Sequence, residues 1–277
     1  MPLAVLALAL AATLPPSSAA ADAPDAVVFV PGDDALMRLA AERRWPGSGA
    51  PGDPYVIANL EILANASHGI WLKGTTKHVA VRNVNVSAGG GSFDGVRIES
   101  ASNVLIEEST FEGNLAGIRL LDARDVVLRG NVVKSSAVGV ALEGTTGAAI
   151  EGNRIALNGK DMLLRASWGN LLRGNNLSIA TGQTALWFED EASYDNRIER
   201  SNVVNGEAVH WYAREGSPDA PLVVQAPRST LRGVTNVAQI MLYRVSNATV
   251  SGAVARDGNG AGIQAIASTG VLLVAPV

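Results

Sequence analysis

The sequence predicts an all-β, right-handed parallel β-helix, and three observations carry that expectation. The first is a phrase that returns about every 22 residues, a small residue followed by alternating apolar positions. It reads Gly69-Ile70-Trp71-Leu72, Gly95-Val96-Arg97-Ile98, Gly117-Ile118-Arg119-Leu120 and Gly139-Val140-Ala141-Leu142. A fixed period of this size marks a solenoid of stacked units. The second is the spacing inside each unit. Ile118, Leu120, Val126, Leu128 and Val133 are separated by polar or small residues, with Gly and Asn as punctuation. That is the pattern of short strands, not of a helix with its period of about 3.6 residues. The third is register. Aligning Val81, Ile106, Leu128, Ile150, Leu172, Ile198 and Leu231 puts Arg82, Glu107, Arg129, Glu151, Arg173, Glu199 and Arg232 in the next column, with alternating sign throughout. Equivalent residues on stacked strands lie roughly 4.8 Å apart. At that spacing opposite charges stabilise and like charges repel. Parallel strands joined by short crossovers take the right-handed turn.

Taken in order, the apolar run Leu3 to Leu14 and the small residues Ala19-Ala20-Ala21 read as an export signal over residues 1–21, cut after Ala21. No Lys or Arg precedes the run, and it is shorter than the roughly 20 apolar residues of a membrane span. Residues 22–53 are expected to form an N-terminal cap. Asp33-Asp34 ahead of Ala35 to Ala41 has the pattern of an N-capped short helix lying over the first coil. Residues 54–277 then form the β-helix, with about eight or nine coils in all. The repeated phrase loosens along it to Asp161-Met162-Leu163-Leu164, Ala185-Leu186-Trp187-Phe188, Val209-His210-Trp211-Tyr212 and Ile240-Met241-Leu242-Tyr243.

Three residues beyond the aligned apolar column stand Ser109, Asn131, Asn153, Asn175 and Ser201. Stacked at strand spacing, such side chains can hydrogen-bond along the axis. The column after them, Phe111, Val133, Ile155, Leu177 and Val203, should fill the interior. The last stretch, Val271 to Val277, offers no capping element, so a partner or a further segment is expected over the final coil.

Composition narrows the function. With 22 Lys and Arg against 26 Asp and Glu, and no basic block, nucleic acid is not an expected partner. There is no Cys, hence no disulfide framework despite the export signal. Asn-x-Ser/Thr triplets at Asn65, Asn85, Asn176 and Asn247 serve either as glycan acceptors or as turn and ladder residues.

The segment Pro46-Gly47-Ser48-Gly49-Ala50-Pro51-Gly52-Asp53-Pro54-Tyr55-Val56-Ile57 resembles the opening phrase of many exported archaeal β-helix proteins. Ala208-Val209-His210-Trp211-Tyr212 and Val237-Ala238-Gln239-Ile240-Met241-Leu242 resemble a paired motif of NosD-like proteins, with Ala238 where the motif has Gly. The resemblance spans roughly residues 46 to 272. It implies the β-helix architecture and an association with copper handling for nitrous oxide reductase. The wider group includes carbohydrate-binding modules and sugar hydrolases. The residues themselves offer few copper donors: no Cys, three histidines (His68, His78, His210), and Met162 and Met241 at interior positions of the repeat. No metal site and no cofactor are therefore expected.

If Ile70 and Leu72 point inward, then Trp71, Arg97, Arg119, Trp187 and Trp211 point outward. Trp187 and Trp211, on consecutive coils, would make a flat apolar platform for a sugar face, with Glu189, Asp190 and Arg165 at its rim. In the competing arrangement the indoles pack together or under the segment Gly216–Pro227. No catalytic residue can be named. Glu189 and Glu191 could meet the carboxyl spacing of a glycosidase, but so could any neighbouring acids on a turn. The Asp pair with Gly-His-Gly of pectin hydrolases and the D-P-H-D of alginate epimerases are absent. The expected function is a secreted, periplasmic or cell-surface module that binds a polysaccharide or surface glycan without catalysis. The alternatives are a polysaccharide lyase, hydrolase or epimerase, and a NosD-like copper-handling accessory protein.

Overall fold

Alternating inward side chains stack into a parallel β-solenoid in the computed structural model, which describes residues 24–180, 184–214, 222–225, 240–251 and 263–274. The export signal at 1–21, Leu231 and Arg232 of the aligned columns, and most of Gly216–Pro227 lie outside the described residues. A first sheet of seven parallel strands runs through Val28–Pro31, Ile70–Lys73, Val96–Glu99, Ala116–Leu121, Val138–Glu143, Lys160–Arg165 and Thr184–Phe188. A second seven-stranded sheet begins at Tyr55–Ala58 and ends at Arg197–Ile198, and a third begins at Glu61–Leu63. Ile70, Leu72, Ile98, Ile118, Leu120, Leu142 and Leu164 are fully buried between the sheets and form one continuous core.

The small residue of the repeated phrase has a steric cause. A Cβ on Gly117 would lie 2.2 Å from a Val133 methyl, and one on Gly95 would lie 2.6 Å from the Gly117 carbonyl oxygen. At Gly95 and Gly117 the chain presses against the third sheet and against the next coil, so only glycine fits at these two coils.

The aligned register holds from coil to coil. Val81, Ile106, Leu128, Ile150, Leu172 and Ile198 pair in succession. In the adjoining column Arg82 meets Glu107 at 2.6 Å, Arg129 meets Glu107 at 3.7 Å, and Arg173 meets Glu151 at 2.9 Å. Glu199 turns instead to Arg197, at 2.7 Å. The amide ladder also forms: the backbone N–H of Asn131 donates to Asn153 Oδ1 at 2.9 Å, and that of Asn153 to Asn175 Oδ1 at 3.0 Å. Its last member is Asn202, not Ser201, and the interior column ends on Val204, not Val203. A tight turn in which Asn202 N–H bonds the Glu199 carbonyl adds one residue to this coil and shifts everything after it.

Two further differences concern the ends. The helix spans Asp33–Arg43, with Gly32 at its N-cap and no side-chain cap. Asp33 accepts instead from Thr76 N–H at 2.8 Å and Thr76 Oγ1 at 2.7 Å, tying the helix to the first coil. The strand Val28–Pro31 lies ahead of this helix and pairs with Ile70–Lys73, so the solenoid begins inside residues 22–53. At the other end Val203–Val204 pairs antiparallel with Glu207–Ala208, which closes the third sheet. Beyond it come two parallel three-stranded sheets. One holds His210–Ala213, Ile240–Tyr243 and Ile263–Ile266; the other holds Leu222–Gln225, Ser246–Ser251 and Thr269–Val274. Trp211 and Met241 face back into the main core, whereas Tyr212, Ile240 and Leu242 pack on the opposite face with Val245, Ala248 and Val250. The His210–Ala213 sheet therefore roofs the last coil of the solenoid. On the final strand Leu272, Leu273 and Val274 stand exposed.

Candidate functional site

The outer face of the first sheet carries the densest functional chemistry among the described residues. Between the inward columns runs an outward one in which Phe29, Trp71, Arg97, Arg119, Ala141, Leu163 and Trp187 are paired neighbours. Alternation along each strand places Lys73, Glu99, Glu143 and Arg165 on one flank of this column. His68 and Asp94, just before the corner glycines Gly69 and Gly95, meet its other flank through Trp71, Arg97 and Arg119.

At the N-terminal end Trp71 packs on Phe29 at 4.6 Å and meets the edge of His68 at 5.2 Å. Lys73 and Arg97 each hold their charge 5.6 Å from its ring. Asp94 is almost fully buried, yet its carboxylate is well satisfied. Arg119 Nε donates to it at 3.0 Å, Ala116 N–H at 3.2 Å, and Arg97 lies 3.5 Å away. His68 Nδ1 accepts the Asp94 backbone N–H at 2.9 Å, so its proton sits on Nε2. The 3.5 Å between Nδ1 and the Asp94 carboxylate is then a contact of two acceptors and no ion pair. Burial of the ring, only partly offset by Asp94, lowers the His68 pKa. Further along, Glu143 receives both Arg119 and Arg165, and Arg165 also approaches Glu189 at 3.6 Å. Glu99 is held below the ordinary carboxylate range by the hydrogen bond from Lys73, against burial, with Arg97 adding to it.

Of the expected ligand residues, Trp187, Arg165 and Glu189 do share this face. Trp187 is half-buried and carries Lys160 4.4 Å from its ring centre. Asp190 has a different task. It accepts from Ser193 N–H at 3.0 Å and from Ser193 Oγ at 3.1 Å, opening the short turn of helix Ala192–Tyr194, and also bonds Ala166 N–H. Trp211 is not on the face at all. It is 5% exposed and stacks on Phe188 at 5.0 Å, so Trp187 and Trp211 make no shared platform. The antiparallel hairpin before His210 breaks the solenoid register and turns Trp211 inward. His68, Asp94 and Glu143 had not been singled out from the sequence. Asp94 gives little signal in the sequence: it stands just before the corner glycine Gly95, where the chain's turn breaks the strand alternation and brings its carboxylate to outward Arg97 and Arg119.

The residues do not fit a resident copper ion. Among the described residues no three His, Cys, Asp or Glu side chains come together as a metal-holding group. His68 commits Nδ1 to a backbone amide; His68 and His78 precede strands of two different sheets, and His210 lies on a third. Met162 and Met241 have no exposed surface and fill the core. Also among the described residues, no helix is long and apolar enough to cross a membrane.

Solved structures similar to this chain include an exopolygalacturonase from Thermotoga maritima, at 14% identity and TM-score 0.41, over 79% of this chain and 52% of that one. The chain thus spans about half the length of that enzyme. An alginate lyase from Paenibacillus sp. FPU-7 matches at 15% identity and TM-score 0.44, over 89% and 96% of the two chains. A capsular polysaccharide depolymerase, tailspike gp49 of the Acinetobacter baumannii bacteriophage Fri1, matches at 11% identity and TM-score 0.36, over 76% and 45%. No curated protein matches. The family model described as periplasmic copper-binding protein (NosD) matches residues 52–217. Together with the paired strands His210–Ala213 and Ile240–Tyr243, which are the two halves of the motif read from the sequence, that match makes this chain a member of the NosD family of parallel β-helix proteins.

Proposed function

We propose that this chain is an exported β-helix module that binds a polysaccharide or surface glycan along the outer face of its first sheet, without transforming it. The observation that carries this reading is the outward column bounded by Trp71 and Trp187. Five strand steps separate the two indoles, about 24 Å along the axis at strand spacing. That length suits several sugar rings in an extended chain. Indole faces at the ends stack on sugars, and the charges between them bond hydroxyls. Export is supported by the residue 1–21 signal and by the periplasmic character of the family.

Binding is favoured over hydrolysis by the state of the carboxyls. A glycosidase needs an acid held protonated against the substrate. Here Glu143 is bonded by two arginines and Glu99 is depressed by Lys73 and Arg97. The carboxyl pushed up to about 7, Asp161, is sealed in the interior.

A glycan array with product analysis on each hit tests the proposal. Trp71→Ala and Trp187→Ala should each weaken binding about tenfold, the value of one lost stacking contact. Their melting temperatures should stay within a few degrees of the parent. Release of reducing ends or unsaturated sugars would establish an enzyme instead. An array without hits, or hits indifferent to both substitutions, would remove this face from consideration.

A further inference from the structure

Where the solenoid register breaks, the last coil and its roof border an open cleft of about 630 Å³. Arg197, Glu199, Arg200 and Asp195 line it from the solenoid side, Trp211 and Tyr212 from the roof. Most of its charges are already matched: Arg197 pairs with Glu199 at 2.7 Å, and Arg214 with Asp195. Arg200 differs. Its guanidinium lies 5.0 Å from the Tyr212 ring centre and donates to the Tyr212 hydroxyl, a neutral group. Among the described residues no carboxylate pairs with it, so a planar fork with free N–H groups faces the cleft. Nearby His210 responds to this charge. Its pKa is lowered by burial and then by Arg200.

The donor and acceptor pattern selects a ligand class. Arg200 calls for an anionic acceptor, for which a guanidinium is suited to a bidentate carboxylate. The rim carboxylates of Asp195 and Glu199 call for neutral hydroxyl donors and disfavour a second negative charge. Inorganic phosphate has up to two charges and few donors, so it would confront both acids. A sugar acid has one carboxylate and several hydroxyls, and the cleft volume falls within the range of about 300–1,000 Å³ typical of small-ligand sites.

We infer that this cleft binds a sugar acid, with the ligand carboxylate on Arg200 and its hydroxyls on Asp195 and Glu199. The site lies apart from the first-sheet face and uses none of its residues, so the two stand or fall separately. The test is calorimetric titration of the full chain at low salt with glucuronate, with its neutral isostere glucuronamide, and with inorganic phosphate. Glucuronate should bind saturably, with glucuronamide weaker by about tenfold to a hundredfold, the worth of a charge-assisted hydrogen bond. Arg200→Gln should lose glucuronate by the same factor while keeping the parent melting temperature, and Arg200→Lys should fall between. Trp71→Ala should bind glucuronate like the parent. Equal binding of acid and amide overturns the inference, as does phosphate binding as tightly as glucuronate. So does absence of glucuronate binding up to about 20 mM, far weaker than the affinities of specific sites. The acid–amide comparison needs no substitution, so it decides even if an Arg200 variant fails to fold.

Discussion

Asp161 stands at the corner where the preceding coils carry Gly69, Gly95, Gly117 and Gly139, and its side chain has nowhere to go but inward. Asn158 Nδ2 donates to one carboxyl oxygen at 2.9 Å, while the other is buried without a partner. Burial pushes its pKa up to about 7, against the opposing hydrogen bond from Asn158. The sign of the consequence follows from linkage. The folded chain holds this proton more tightly than the unfolded one, so the contribution is intact below about pH 4 and is lost as pH rises through about 7. His68 and His210, whose pKa values are lowered by burial, act oppositely: they destabilise as pH falls below their ordinary value. Asp161→Asn should therefore raise the melting temperature at pH 8 by several degrees and leave it nearly unchanged at pH 4. Thermal melts of the parent and variant across this range check it. A difference that does not grow with pH would mean the carboxyl is ionised and satisfied.

At the scale of elements, the amide ladder adds buried side-chain hydrogen bonds to the parallel strand pairing that joins one coil to the next. Asn153 accepts from the backbone N–H and Nδ2 of Asn131, and donates to the Leu128 carbonyl at 3.0 Å and to Asn175 Oδ1 at 3.0 Å. Asn153→Ala leaves several buried polar atoms of the neighbouring coils unpaired, and each such loss costs about 1–3 kcal/mol. The variant should lose about 2–4 kcal/mol in urea denaturation, a range set by partial relaxation around the gap. Arg154→Ala, one residue on and outward, should cost under about 0.5 kcal/mol. The members Asn131, Asn153 and Asn175 were legible because a constant 22-residue spacing preserved them. Asn202 was not, because one inserted residue in the Glu199–Asn202 turn leaves periodicity intact on both sides and merely offsets the phase. A single-residue offset reverses which side of a strand is inward. The same effect misplaced Val203 and, through the hairpin after it, Trp211.

At the scale of the molecule, an aromatic seam joins the solenoid to its roof. Phe188 stacks on Trp211 at 5.0 Å and on Tyr194 at 5.2 Å, and Tyr194 lies 5.7 Å from Tyr243. Arg244 reaches Glu191 at 3.2 Å across the same seam. The seam covers the open end that a solenoid otherwise exposes to aggregation. Trp211→Ala should cost about 3–5 kcal/mol, as for other buried aromatics cut to alanine. Trp187→Ala, on the outer face, should cost about 1 kcal/mol or less. Parallel urea melts of the two variants check the contrast. Equal costs would mean that Trp211 is not part of the core.

The period, the inward columns, the alternating charges and most of the amide ladder were determined by the sequence alone. Each depends on local alternation and on a spacing that repeats, and both are properties of the chain read in one dimension. Burial of Met162 and Met241 followed for the same reason. Tertiary structure decided the phase after the inserted residue, the reversal at the hairpin, and so the inward turn of Trp211. It also decided which outward charges meet: Asp94 finds Arg119 25 residues away, one coil on, and Glu143 finds two arginines from the coils on either side. Such meetings depend on how rotamers settle across neighbouring strands, and no spacing in the sequence encodes that.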